Sequence, residues 1–151
     1  MSAPASRAPD ITVVEPIDWP IADAWALIGT FGALGRWHPL VTACEVIGDG
    51  IGSERRVTLG DWHAVERLEA LDPDAHMLEY LMTDCARTIL IGVRGRMKLD
   101  AAGPDRCTFT WTAWLPNPAP EGLEEFLRGY YPQRIAHLRA ALDASAESRQ
   151  A

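Results

Sequence analysis

The sequence predicts an α+β fold: a strongly curved antiparallel sheet of about seven strands wrapped round one long C-terminal helix, with two short helices after the first strand. Three observations carry this expectation. Between residues 42 and 115, short runs alternate apolar and polar side chains and are punctuated by Gly, Asp and Pro turns, as in a meander with one wet face. A stiff connector with Pro116, Pro118 and Pro120 then leads into residues 121–143, where apolar side chains recur at helical spacing. A strand followed by a helix stands ahead of both.

Residues 11–19 alternate as the first strand. Pro20 opens a helix at the early position that tolerates its missing N–H, and Asp23 in the first turn suits the helix dipole. Ile21, Trp25 and Ile28 share a face, Gly29 and Gly32 end the segment, and residues 34–39 form a second helical turn. Residues 42–47 read as a strand and the run 48–52 as a turn. Residues 52–59 and 62–69 are separated only by Gly60 and Asp61, the mark of a tight hairpin, and Asp72-Pro73-Asp74 ends it. Residues 77–82 and 88–100 are two further strands. In the second, Ile89, Ile91, Val93, Met97 and Leu99 share the inner face, with Arg94, Arg96 and Lys98 opposite. Residues 106–115 continue that face with Phe109, Trp111, Ala113 and Leu115. On the last helix Leu123, Leu127, Tyr131, Ile135, Leu138 and Leu142 form the apolar stripe, and Pro132 predicts a kink.

The chain of 151 residues, 48% apolar and 23% charged, suits one domain with a real core. Residues 1–10 read as a disordered lead, 11–144 as the domain and 145–151 as a disordered tail. A formal net charge of −7 argues against nucleic acid or an anionic membrane as the main partner. No apolar run is long enough for membrane insertion, and the lead lacks the apolar core of a secretion signal. Cys44, Cys85 and Cys107 are odd in number and have no metal-ligand spacing, so inert thiols in a reducing cytoplasm are expected. No cofactor and no metal site are expected. The glycine run 48–52 precedes a strand and lacks a following Gly-Lys-Ser/Thr, which makes it a turn and not a phosphate loop. No Ser-His-Asp, HExxH or Cys-His set stands out.

The informative feature is charge in the middle of the hairpin strands. Arg55 shares parity with Val57 and Leu59, and Glu66 with Ala64 and Leu68, so both point inward, while Arg56 and Arg67 point outward. A covered carboxylate is costly unless an arginine or a ligand meets it. Arg55 offers fixed donors to a carboxylate, an enolate or a polarised carbonyl. Glu66 can move a proton at an enolisable carbon or hold a ligand hydroxyl; an ion pair that merely ties the strands is the alternative. Trp37 offers a flat apolar surface, and His38 either exchanges protons near pH 7 or caps structure. Tyr80, Trp111, Tyr130 and Tyr131 supply rings to a core or to a site. His63, on the face opposite Glu66, and His76, beside a turn, are expected in solvent.

The runs Pro20-Ile21-Ala22-Asp23-Ala24-Trp25, Trp37-His38-Pro39, Gly50-Ile51-Gly52-Ser53-Glu54-Arg55, Glu66-Arg67-Leu68-Glu69-Ala70-Leu71-Asp72 and Phe109-Thr110-Trp111, with the order of elements, resemble the START-like or SRPBCC superfamily, the helix-grip, Bet v 1-like fold. The likeness spans about residues 11–143 and is nearest the polyketide cyclase/dehydrase-like branch. It implies a deep, largely apolar cavity between sheet and helix, with Glu66 and Arg55 facing it and Trp37 and His38 at its rim. Arg87 resembles a position that points into the pocket in the plant hormone-receptor branch. The short loop Leu59-Gly60-Asp61 departs from the longer gate of those receptors, which argues against hormone sensing of that kind. The resemblance implies a hydrophobic small-molecule partner (a polyketide, an aromatic compound or a lipid) and leaves a homodimer open. The expected chemistry is cyclisation or dehydration, with Arg55 stabilising an oxyanion, Glu66 and His38 moving protons, and Trp37, Tyr80, Arg87, Trp111 and Tyr130 binding the ligand. A non-catalytic carrier is the rival reading.

Overall fold

The computed structural model describes residues 7–150, with side chains to residue 148; residues 1–6 of the expected lead, and residue 151, lie outside the described residues. Seven strands form one antiparallel sheet in the order β1-β7-β6-β5-β4-β3-β2. They are β1 (Ile11–Ile17), β2 (Ala43–Ile47), β3 (Glu54–Leu59), β4 (Trp62–Asp72), β5 (Met77–Cys85), β6 (Arg94–Ala101) and β7 (Cys107–Trp114). Between β1 and β2 lie α1 (Ile21–Ile28) and a short 3-10 segment (Phe31–Arg36), and α2 (Leu123–Gln150) closes the chain. This is the helix-grip architecture: a curved sheet holding a long C-terminal helix.

The core sits where the concave face of the sheet meets α2. Leu123, Leu127, Tyr131, Ile135, Leu138 and Leu142 are all buried, as their spacing predicts, and Phe109, Trp111, Met97, Leu99 and Leu78 come up to meet them from the strands. Gly60 has φ +68° at the first turn position of the β3–β4 hairpin, where the mirror-image turn that matches strand twist needs a glycine. Two register irregularities in the β4–β5 pairing, at Val65/Glu66 and at Leu68/Ala70, bend the strands beside Glu66.

Three expectations are corrected. The strand expected over residues 88–100 begins at Arg94; Thr88–Leu90 is a 3-10 turn. Gly92, at φ +92°, breaks the run, so Ile89 and Ile91 are 38% and 37% exposed and do not extend the inner face. Alternation alone could not reveal that break, because the same parity continues across it. Arg94, expected on the wet face, is buried and donates to Glu69 at 2.7 Å. Finally, α2 runs on to Gln150 through the segment read as a tail. At the other end, Arg7 donates to the carbonyl of Leu115, and Asp10 accepts from the Leu115 N–H, so residues 7–10 are tied to the end of β7.

Tyr80 and Gly95 are register partners on β5 and β6, and a Cβ at Gly95 would overlap the Tyr80 ring. Gly95→Ala therefore has to displace a buried ring that also accepts a hydrogen bond from Trp111. We expect it to cost about 1–3 kcal/mol of stability, measured as a lowered midpoint in urea, whereas Gly129→Ala, at an open position, leaves the midpoint unchanged or raises it.

Candidate functional site

Arg55 on β3 and Glu66 on β4 are directly opposed in the ladder, and Arg55 Nε donates to Glu66 Oε1 at 2.7 Å. Arg55 Nη1 donates to the Phe31 carbonyl at 3.1 Å, and the guanidinium lies over the rings of Phe31 and Tyr80. Both members are buried, at 3% and 8% exposure, while Arg56 is exposed and Arg67 pairs with Glu69 on the outer face. The parity reading of the four charges holds. Glu66 Oε2 makes no hydrogen bond among the described residues, which leaves it an acceptor on the cavity side.

The cavity lies between the sheet and α2 and is lined by Arg55, Glu66, Trp37, His38, Tyr80, Trp111, Tyr130 and Arg134 together with aliphatic side chains of β3 to β6. Its free space is about 70 Å³, room for a few waters and well short of the roughly 300–1,000 Å³ of a drug-sized ligand pocket. Rings fill the rest. Trp111 stacks on Tyr131 at 4.3 Å between centroids and on Phe109 at 5.6 Å, meets the edge of Trp37, and donates its indole N–H to Tyr80 at 3.2 Å. Trp111 and Tyr80 thus serve core and cavity wall at once. A bulky guest needs these side chains, or the mouth, to give way.

Polar contacts at the α2 side of the cavity centre on His38. Its Nε2 stands 3.1 Å from the Tyr130 hydroxyl, and its Nδ1 accepts from the Leu40 N–H at 3.4 Å. A neutral imidazole has one donor nitrogen and one acceptor, so this network assigns the proton to Nε2, which donates to Tyr130. The phenolic hydrogen of Tyr130 is then free to be offered to a guest. Burial, with the positive charges of Arg134, His137 and Arg55, lowers the His38 pKa to about 4, so the ring is neutral at pH 7. Burial pushes the Tyr130 phenol up against the pull of Arg134, which keeps it a donor.

The sequence reading missed Arg134. It is buried, lines the cavity and covers the Tyr130 ring at 4.4 Å. A signal existed: Phe126, Tyr130, Arg134 and His137 recur at helical spacing beside the main stripe, forming a second inward face of α2. Arg87 is exposed and sits outside the lining, its guanidinium 5.0 Å from the Trp62 ring and 5.8 Å from Phe126. His63 is exposed and meets Asp84, as its face predicts, but His76 is half-buried, edge-on to Trp25, and not in open solvent. Burial raises the pKa of all three cysteines, whose thiols are free. Among the described residues, no group of three His, Cys, Asp or Glu side chains is placed to hold a metal ion, and no helix is long and apolar enough to cross a membrane.

Residues 8–143 match the family described as polyketide cyclase / dehydrase and lipid transport. Solved structures share the fold. A solution structure from Thermobifida fusca is 29% identical, with a TM-score of 0.73 over 87% of this chain and 91% of that one. An uncharacterised protein from Bacillus thuringiensis is 18% identical, with a TM-score of 0.74 over 87% and 97%. Norcoclaurine synthase from Thalictrum flavum, solved with dopamine and hydroxybenzaldehyde, is 16% identical, with a TM-score of 0.65 over 91% and 86%.

Two outcomes follow from the site's electrostatics. Between about pH 6.5 and pH 4 the unfolded chain binds a proton at His38 that the folded protein refuses, so stability falls as pH drops through this window. The difference between wild type and His38→Gln in urea midpoints against pH isolates that loss; a flat difference would show an unperturbed ring. Breaking the Arg55–Glu66 pair by Glu66→Leu alone should cost about 3–5 kcal/mol, and the double variant Arg55→Met, Glu66→Leu should recover most of it.

Proposed function

The chain belongs to the polyketide cyclase / dehydrase and lipid transport family, and from that premise we propose that its cavity binds a hydrophobic, oxygenated small molecule such as a polyketide and promotes its cyclisation or dehydration. The observation that carries this reading is a donor and an acceptor facing one largely apolar cavity: the Tyr130 hydroxyl, positioned by His38, and the Glu66 carboxylate, positioned by Arg55.

In this reading Glu66 Oε2 takes a proton from a carbon next to a ligand carbonyl. The carbonyl oxygen gains the negative charge and accepts a hydrogen bond from Tyr130, with the Arg55 guanidinium close by. The carbon then attacks a second carbonyl of the same folded molecule, closing a carbon–carbon bond, and the new alkoxide takes a proton back. Loss of that oxygen as water, with removal of a neighbouring C–H proton, completes a dehydration. Trp37 and Trp111 hold the chain folded, so that proximity supplies much of the rate. His38 acts as a positioning donor: a base with a pKa near 4 has little drive to take a proton at pH 7. This changes the proton-shuttle role expected for it.

A carrier of a lipid or aromatic metabolite is the second reading. One observation favours it: Arg55 already spends Nε and Nη1 on Glu66 and on Phe31, so the pair can serve as an anchor that never turns over.

Native mass spectrometry of the protein as purified from its own cells should reveal a retained hydrophobic molecule. With that molecule as substrate, Tyr130→Phe should lower kcat by roughly 100-fold with little change in KM, the usual effect of losing one oxyanion donor. Glu66→Gln should abolish turnover while retention persists. Retention without turnover in the wild type selects the carrier, and unchanged behaviour of both Arg55→Ala and Glu66→Gln sinks the site assignment.

A further inference from the structure

Among the described residues three arginines are buried: Arg55, Arg94 and Arg134. Two of them meet a carboxylate at 2.7 Å, Arg55 on Glu66 and Arg94 on Glu69. Arg134 meets none. Its Nε has no hydrogen-bond partner, and Nη2 donates only to the side-chain oxygen of Gln133, at 3.3 Å. It also covers the face of Tyr130 and reaches that residue's hydroxyl, which is neutral and supplies no charge, and the residue is 5% exposed.

A guanidinium cannot escape this position by losing its proton, as a buried lysine or histidine can. A buried cation without an anion is among the costlier things a fold can hold. The surplus charge is also felt next door. Arg134 is second only to burial in lowering the pKa of both His38 and His137, and the buried Nδ1 of His137 lacks a partner too. The facing elements do not supply the missing anion. From β4, the charge of Glu66 is already offset by Arg55, although its Oε2 stays open; from α2, Tyr130 stays a neutral phenol; from the segment after Arg36, His38 is neutral. The cavity, as folded, is short of one negative charge.

Resting on the reading of this cavity as a ligand site, we infer that its guest is a hydrophobic monocarboxylate, whose carboxylate pairs with Arg134 beside the Tyr130 hydroxyl and whose apolar body lies against Trp37, Trp111 and Phe126. The planar fork of arginine matches a carboxylate with two parallel hydrogen bonds. The charge count favours one negative charge: Arg55 and Glu66 already cancel, so a monoanion balances Arg134. A phosphate dianion would leave an excess charge in a space of about 70 Å³ with mainly apolar walls. Arg134 is then the residue that selects acids over their neutral analogues.

The test uses the full-length protein at pH 7.5 and tryptophan fluorescence, which Trp37 and Trp111 report. Four probes are titrated: decanoate and decanamide for an aliphatic source, and 2-naphthoate and 2-naphthamide for an aromatic one. At least one acid should bind about tenfold or more tighter than its amide, the usual worth of a charged hydrogen bond, and the pair that shows this names the source. Arg134→Gln should erase that preference without weakening the amide. Binding of an amide as tight as its acid, or an acid preference that survives Arg134→Gln, overturns the inference while leaving the cavity reading intact. No binding of any probe to the wild type overturns both.

Two ligand-independent readouts guard against misfolding of the variant. Arg134→Gln should raise Tm by about 2–6 °C, because it removes an uncompensated charge; a fall would make Arg134 a structural residue and overturn the inference. The His38 pKa of about 4, followed by NMR of its Cε1 proton, should rise in Arg134→Gln, and in the wild type on adding the bound acid but not its amide.

Discussion

A carboxylate on the concave face of a sheet has to find a cation, and Glu66 finds Arg55 directly across the β3–β4 ladder at 2.7 Å. Much of the site hangs on that pairing. A slip of one residue in either strand would turn one charge to solvent and leave the other buried alone, so the pair fixes the register of the hairpin. Through Nη1, Arg55 also holds the Phe31 carbonyl, which anchors the 3-10 segment against the sheet. That segment leads straight into Trp37 and His38, and His38 then meets Tyr130 on α2. One ion pair thus links the sheet, the rim and the helix around a single cavity.

The parts of this arrangement that follow from strand parity and helix spacing were legible in the chain. Alternation placed Arg55 and Glu66 inward, the two-residue turn at Gly60 and Asp61 placed them opposite each other, and the stripe from Leu123 to Leu142 placed α2 on the sheet. Resemblance to the helix-grip fold supplied the rim. Where periodicity is blind, the reading failed. Residues 88–93 keep strand parity while the backbone turns at Gly92, so Ile89 and Ile91 looked like core and are not. Arg134 was hidden because an arginine on a long helix is ordinarily a solvated residue, and only its place in line with Phe126, Tyr130 and His137 betrays the second buried face. The size of the cavity is not a property of pattern at all. It depends on how far the rings of Trp111, Tyr131 and Tyr80 fill the concavity, which only side-chain packing decides.

Electrostatically the cavity runs opposite to the chain that encloses it. The protein carries a formal charge of −7, yet the ionised groups lining this space are two arginines and one glutamate. The neutrality of His38 follows from that imbalance as much as from burial. A third positive charge there would repel both guanidiniums, so the ring stays uncharged and donates through Nε2. Its contribution is to aim Tyr130. The division of donor and acceptor inside the cavity is therefore set by what surrounds each group, with the phenol left as donor and the free oxygen of Glu66 as acceptor.

The narrowness of the cavity bears on which of the two readings a guest would experience. A space of about 70 Å³ walled by stacked rings cannot admit a folded polyketide or a fatty chain without displacing side chains that are themselves well packed. Opening it therefore has a cost, and the guest must supply an interaction that the closed protein lacks. Apolar contact alone is a weak candidate, because Trp111 already has Phe109, Tyr131 and Trp37 for neighbours. The unmet Nε of Arg134 and the uncommitted hydrogen of Tyr130 are donors that closure leaves unsatisfied, and both lie on α2. An oxygen-rich end that meets them can offset the repacking of the rings, whereas a plain hydrocarbon cannot. On the proposed reading, polar groups on the helix side, rather than the apolar walls, would distinguish a guest from any greasy molecule of similar size.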